Sequence, residues 1–299
     1  MKRALLVRAG ALGDILLLRR AVFALRRAGF ATTLLAPRAS GSVLVGPGQS
    51  EVAALVDWNR RDVASLFDQS AAIPDLLRGE LRAFDAALVC SRSEALRAQL
   101  ATLVPRLASV DPSPPPGRHA ARWYAEALAA LGIIDDAAPP PLLPLEEERA
   151  AADAWCARLP ARFLAIHPGS GSAAKNWPAE RYAALARALS HGDWLLVSGP
   201  ADLEVAGTLA REPGAVRARE LPPRVLGALL ARAGLFVGND SGVTHLAAAS
   251  GAPTLALFGP TDPLQWGPDG DAAKTLRASD ARMEGLEVDA VIAAARRIA

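Results

Sequence analysis

Lysine is nearly absent from this chain: its 299 residues hold 30 arginines but only three lysines, Lys2, Lys175 and Lys274. In so biased a sequence each lysine needs a reason. Lys2 and Lys274 suggest solubility alone, whereas Lys175 lies inside a motif. Cysteine is equally scarce. Cys90 and Cys156 stand 66 residues apart with no second cysteine near either. That spacing excludes a disulfide framework and a zinc site, and it points to a reducing compartment, the cytoplasm. No His, Cys and carboxylate residues fall at metal-ligand spacing, so no protein-bound metal is expected. No apolar run reaches the roughly 18 residues of a membrane span. The first segment is interrupted by Gly13-Asp14 and two Arg-Arg pairs and lacks a small-residue cleavage site, so no secretory leader is expected. A net charge of only +2 argues against a dedicated nucleic-acid binder.

What is present is apolar and periodic. Hydrophobic residues make up 51% of the chain, ample for one large core or two cores of about 150 residues each. Short apolar runs at 4–7, 32–36, 53–56, 86–90 and 107–110 read as strands, with helical patterns between them at, for example, 14–28 and 93–103. A helix rich in Ala and Arg follows at 120–131. The proline-rich stretch 137–144 then reads as a semi-rigid spacer. After it the alternation restarts. Strands are expected at 163–167, 194–198, 215–217, 235–237 and 254–258, and helices at 179–190, 202–211, 224–233, 243–250 and 288–298. Strand–helix alternation of this kind predicts parallel sheets covered on both faces. The expected fold class is therefore α/β, with two Rossmann-like doubly wound domains, 1–140 and 141–299, facing a cleft that receives their strand C-termini. The closing helix is a candidate to pack back on the first domain.

The richest segment runs from Gly234 to Ala247: an apolar strand, the turn Asn239-Asp240-Ser241-Gly242, then a helix. A helix N-terminus presents unpaired N–H groups and the positive end of its dipole, a ready site for phosphate. Gly242 has no side chain to hold a diphosphate off the backbone, and Ser241 can cap the helix or donate to a phosphate oxygen. His245 follows about one turn in. The same residues also fit a plain helix cap. A second strand at 254–258 ends in a Gly/Pro-rich exit, as expected at the edge of a ligand crevice.

Two further turns carry polar groups. Ala165–Pro178 is a strand, a small-residue loop with Ser170 and Lys175, and Trp177-Pro178 opening a helix. Such a loop can cradle an anion, and Lys175 adds a full positive charge. It also fits a flexible surface loop. His167, at the strand end, reads as a hydrogen-bonded, partly buried histidine rather than a catalytic one. The first strand leads into Arg8-Ala9-Gly10-Ala11-Leu12-Gly13-Asp14, which is not the GxGxxG of a dinucleotide fold. Asp14 there is either a plain helix-start residue or a carboxylate poised to accept a proton from a bound hydroxyl.

Taken in order, Gly13-Asp14, His167-Pro168-Gly169 with Lys175-Asn176-Trp177-Pro178, Asp240-Ser241-Gly242-Val243-Thr244-His245-Leu246-Ala247 and Phe258-Gly259-Pro260-Thr261-Asp262-Pro263 resemble glycosyltransferase family 9, the ADP-heptose:lipopolysaccharide heptosyltransferases. The likeness is specific from 163 to 268 and looser from 30 to 145. It implies a GT-B fold and inverting transfer from an ADP-heptose-like donor to a glycolipid or oligosaccharide acceptor, without metal or other cofactor. It implies Asp14 as general base and Lys175 as the cation on the departing diphosphate, joined by the N–H groups at Ser241 and Gly242. Gly13, Ser170, Asp240 and His245 fall among the donor-binding residues. The family's acidic nucleoside contact after the second strand of the C-terminal domain corresponds to Asp202 or Glu204, and both stay open. Two rivals are a nucleotide-sugar-binding protein without catalysis and an epimerase of GT-B shape.

One expectation concerns the membrane. On a helix over 14–28, Arg19, Arg20, Arg26 and Arg27 share a face into which Leu16 and Phe23 are set. Such a face suits peripheral contact with an anionic lipid surface. The alternative is solvated arginines with Phe23 tucked under a loop.

Overall fold

The computed structural model describes residues 1–298, the side chains of 201 and 203 excepted. They divide into two compact units, Met1–Pro140 and the chain from Pro141 onward. The first unit contains β1 (Lys2–Val7), β2 (Phe30–Ala36), β3 (Ala54–Asp57), β4 (Ala86–Cys90) and β5 (Leu107–Val110). They pair in the order β3-β2-β1-β4-β5, every pair parallel. The second contains β6 (Leu164–His167), β7 (Trp194–Ser198), β8 (Ala215–Arg219), β9 (Leu235–Asn239), β10 (Thr254–Phe258) and β11 (Ala273–Arg277). Their order is β11-β10-β9-β6-β7-β8, again all parallel.

Both sheets are doubly wound. Connections run one way from the first strand of each unit and then reverse, so the switch lies between β1 and β4 in one sheet and between β6 and β9 in the other. Loops leaving the C-terminal ends of those strands diverge to opposite faces, which opens a crevice there. The central strands are apolar along most of their length because helices cover both faces. β4, β7 and β10 are buried at every residue.

Each unit has its own core. Leu5, Val7, Leu35, Val63, Leu77, Val89 and Leu100 cluster in the first. In the second, Ile166, Trp177, Tyr182, Leu196, Val237 and Leu257 do so. The two tryptophans there are fully buried, and each indole N–H finds a carbonyl: Trp177 donates to Leu286 O at 2.9 Å and Trp194 to Pro213 O at 3.0 Å.

Two expectations need correction. The helix expected at 14–28 is two helices, Leu12–Leu16 and Arg19–Arg27. Leu17 and Leu18 between them are buried, and the Leu18 N–H donates back three residues to Ile15 O at 3.1 Å, tightening the step. The basic face is correspondingly not free. Arg19 and Arg20 are 3% and 4% exposed. Arg19 donates to Ser50 Oγ at 2.9 Å and to Pro140 O, and Arg20 donates to Asp136 O at 2.7 Å. Arg27 pairs with Asp135 at 2.6 Å, and Leu16 is buried. Arg19, Arg20 and Arg27 tie down the chain that leads out of the unit, so the basic face on which the membrane expectation rested is reduced to the half-buried Arg26 and the exposed Arg27. The closing helix, Val288–Arg296, places Val291, Ala294 and Ala295 in the core of the second unit. Among the described residues no helix is long and apolar enough to cross a membrane.

Candidate functional site

β6 and β9 pair in register, His167 opposite Gly238, so their loops leave side by side at the switch point. Asn239, fully buried at the end of β9, locks the two loops together. Its Oδ1 accepts from the Trp177 backbone N–H at 3.1 Å and from the Tyr182 hydroxyl at 2.8 Å, and its Nδ2 donates to Pro168 O at 2.7 Å. Trp177 stacks edge-on against Tyr182 with ring centroids 4.9 Å apart. The tryptophan of the Lys-x-Trp-Pro motif is thus an anchor that holds the loop bearing Lys175.

Lys175 reaches the β9 turn. Its Nζ donates to Asp240 Oδ2 at 2.8 Å, and the same oxygen accepts from Thr261 Oγ1, on the loop after β10, at 2.8 Å. His245 Nε2 lies 3.9 Å from Asp240 Oδ1. Ser241 is the N-cap of the eight-residue helix Gly242–Ala249, and its Oγ accepts from the Thr244 backbone N–H at 3.3 Å. Three loops therefore converge on one helix N-terminus with a lysine, two hydroxyls and one carboxylate. An ammonium has three donors, so Lys175 can keep Asp240 and still meet an anion.

His167 lies beneath this turn, 3% exposed. Its Nδ1 is 3.2 Å from Ser241 Oγ and its Nε2 is 2.9 Å from Asp202 Oδ2, which also accepts from the Gly199 N–H at 3.0 Å. Burial raises the Asp202 carboxyl, but the hydrogen bond and charge of His167, with the Gly199 N–H, outweigh it and hold it below the usual carboxylate range. A Cβ on Gly169 would stand 1.7 Å from Asp202 Oδ1, so only glycine fits over this carboxylate. Of the two acidic residues left open as nucleoside contacts, Asp202 is 7% exposed and committed to His167. Glu204 is exposed on the first turn of the helix Leu203–Leu209. Ser170 is turned into its own loop, within 2.7 Å of both Ser172 O and Asn176 Oδ1.

The first unit has a simpler turn at its own switch point. Asp14, two residues into the helix Leu12–Leu16 and beside Gly13, accepts from the Ala11 N–H at 3.0 Å through Oδ2. Its Oδ1 accepts from Arg8 Nη2 at 2.6 Å. The Arg8 side chain is 8% exposed and that of Asp14 31%, so the arginine backs the carboxylate and leaves one edge open. The guanidinium sits 5.6 Å from the Tyr124 ring centroid. Burial pushes the neighbouring Cys90 thiol up to about 12, with Arg8 opposing. A Cβ on Gly10 would be 2.6 Å from Asp14 Cβ, which explains the glycine. Sequence reasoning missed Arg8, Asn239, Thr261 and the His167–Asp202 pair. Polar residues at the ends of apolar runs, as Arg8 follows β1 and Asn239 ends β9, are the signal that would have found the first two. Among the described residues no group of three or more His, Cys, Asp and Glu is placed to hold a metal ion.

The model of glycosyltransferase family 9 (heptosyltransferase) matches residues 94–289. Among curated proteins, the chain is 38% identical over 109 residues to lipopolysaccharide heptosyltransferase 1 of Pseudomonas aeruginosa, covering 34% of this chain and 30% of that protein. It is 34% identical over 114 residues to lipopolysaccharide heptosyltransferase 3 of Escherichia coli, covering 36% and 34%. The match thus spans about a third of the length of these curated relatives. Among solved structures, a glycosyl transferase family 9 protein from Veillonella parvula superposes with a TM-score of 0.82 at 22% identity, over 99% of this chain and 97% of that one. The E. coli heptosyltransferase WaaC with ADP superposes at 0.73 and 20% identity, over 99% and 100%. The fold is that of the GT-B heptosyltransferases.

Proposed function

The chain belongs to glycosyltransferase family 9, and from that premise we propose that it transfers a heptose, or a similar sugar, from an ADP-sugar to a hydroxyl of a lipopolysaccharide-core or related glycan acceptor, inverting the anomeric carbon. The observation that carries this reading is the convergence of Lys175, Thr261 and Ser241 on the N-terminus of the helix Gly242–Ala249. Breaking a glycosidic bond to ADP leaves negative charge on a diphosphate oxygen. Fixed donors aimed at that oxygen stabilise the transition state more than the ground state. Lys175 supplies charge, and Ser241 and Gly242 supply donors at the positive end of a helix dipole. A relative solved with ADP and with ADP-2-deoxy-2-fluoro heptose is in line with this donor.

In the same reading Asp14 takes the acceptor's proton. Arg8 holds Oδ1, and Oδ2, which accepts from the Ala11 N–H, has a second lone pair to meet a hydroxyl. Glu204, exposed after β7, contacts the nucleoside. Asp240 places the sugar and Lys175. The reaction is assigned to the cytoplasm and needs no metal, so EDTA leaves the rate unchanged.

Thermal melting with ADP, UDP and GDP tests the donor assignment. A ligand at 100-fold over its Kd stabilises by about 2.7 kcal/mol, a clear rise in Tm. Stabilisation by ADP alone supports it, and stabilisation by UDP or GDP alone overturns it. ADP release from ADP-heptose that requires a glycolipid acceptor identifies a transferase. Donor conversion without acceptor identifies an epimerase, and binding without turnover a binding protein.

A further inference from the structure

The Asp202–His167 pair, which touches Ser241 from below, is a buried titratable assembly that the proposed transfer does not use. Its hydrogen-bond polarity is nearly fixed by what surrounds it. An ionised carboxylate only accepts, so the Asp202 contact requires a proton on His167 Nε2. In the neutral imidazole Nδ1 is then an acceptor, and the hydrogen on the 3.2 Å contact comes from the Ser241 hydroxyl. Ser241 has one such hydrogen. Its other close neighbour, Thr244 Oγ1 at 3.2 Å, donates its own hydrogen to Asn239 O at 2.5 Å and so offers Ser241 only a lone pair. With His167 neutral, the Ser241 hydroxyl therefore points into the protein.

Protonation of Nδ1 reverses this. Nδ1–H and the Thr244 backbone N–H then fill both Ser241 lone pairs, and the Ser241 hydrogen is free to leave the protein interior. A phosphate oxygen, being charged, outcompetes the neutral Thr244 hydroxyl for it. We propose that His167 is a positioning residue that turns Ser241 from an inward to an outward donor, so that the protein takes up a proton at His167 when a diphosphate binds. The idea rests on the donor reading above. Asp202 supplies the counter-charge that keeps the imidazolium in a buried site. The other charged groups near this turn are Lys175, Asp240 and His245, which gather on one another, and Glu204, exposed on the helix after Asp202.

Calorimetric titration of the full chain with ADP, at pH 8 and 9 in buffers of low and high ionisation enthalpy, tests this. ADP carries its full charge at these values, so buffer-dependent heat reports protons taken up by the protein. The expected result is uptake approaching one proton per ADP, with affinity falling as pH rises. His167→Gln should still bind ADP with uptake near zero, and Asp202→Asn should reduce uptake. ADP binding without uptake in the unaltered protein overturns the relay and leaves the donor reading standing. Uptake that survives His167→Gln but vanishes in His245→Gln also overturns it. Absence of any ADP binding overturns the donor reading, and the relay with it.

Discussion

The two switch-point turns start from the same topology and are built to different ends. In the first unit one arginine and one backbone N–H hold one carboxylate. In the second, three loops are braced through Asn239 and Asp240, and most of their polar atoms serve each other. A single anionic group with an open edge suits removal of a proton, whose position is fixed by one oxygen. A diphosphate has several oxygens and needs donors from several directions at once, so its site demands a network. On the proposed function, the difference in construction follows from the difference in what each turn would meet.

The comparison breaks most sharply at Asp14. Asp14→Ala should lower transfer by about 10²- to 10⁴-fold, the usual span for a general base, while ADP affinity stays within a factor of two. An equal fall in both would mean the two turns are not divided in labour. Next comes Asn239→Ala, which strands the Trp177 N–H, Pro168 O and the Tyr182 hydroxyl in a buried site. Each lost partner costs about 1–3 kcal/mol before relaxation, so urea unfolding should show a loss of several kcal/mol. Removing Arg8 from the simpler turn should cost less, and a larger loss there would reverse the ranking. Lys175→Met removes a charge-assisted contact of about 1.5–3 kcal/mol, so ADP affinity measured by calorimetry should fall about ten- to a hundred-fold.

The smallest effect concerns acid. The folded Asp202 carboxyl titrates below its unfolded value. Its stabilisation is therefore whole above about pH 4 and is lost as pH falls through the lower folded value. The stability gap between the unaltered protein and Asp202→Asn should shrink as pH falls from about 5 toward about 3. A gap that widened over that range would show the pairing to be misassigned.

Ten of the eleven strands among the described residues are legible as apolar runs. β11 is not, because Ala273–Arg277 is a half-exposed edge strand carrying Lys274 and Arg277, with no unbroken run to notice. The candidate site residues of the second unit cluster largely as motif order suggests, since each motif follows a strand. What the chain does not announce is partnership across distance. Nothing local says that Asp202 turns inward to His167 while Glu204 faces out, or that Asn239 bridges residues more than 50 positions away. Arg19 and Arg20 mislead for the same reason. Helical periodicity puts them on a polar face, and only the returning chain at 136–140 buries them.

That returning chain has a consequence for how the molecule can be taken apart. Up to Pro140 the proline-rich stretch and the two aspartates before it, Asp135 and Asp136, are fastened to the first unit by Arg19, Arg20 and Arg27. From Leu142 it is fastened to the second, through the Leu142 N–H on Ala249 O at 2.9 Å, Arg224 on Leu143 O at 2.8 Å and Arg149 on Pro144 O at 2.8 Å. A spacer of eight residues is thereby reduced to a seam at one peptide bond, Pro140–Pro141. Cutting there severs that bond and none of the hydrogen bonds described above. In the language of recombination it is a ready crossover point, where one relative's first unit can be joined to another's second with each keeping its own end of the strap.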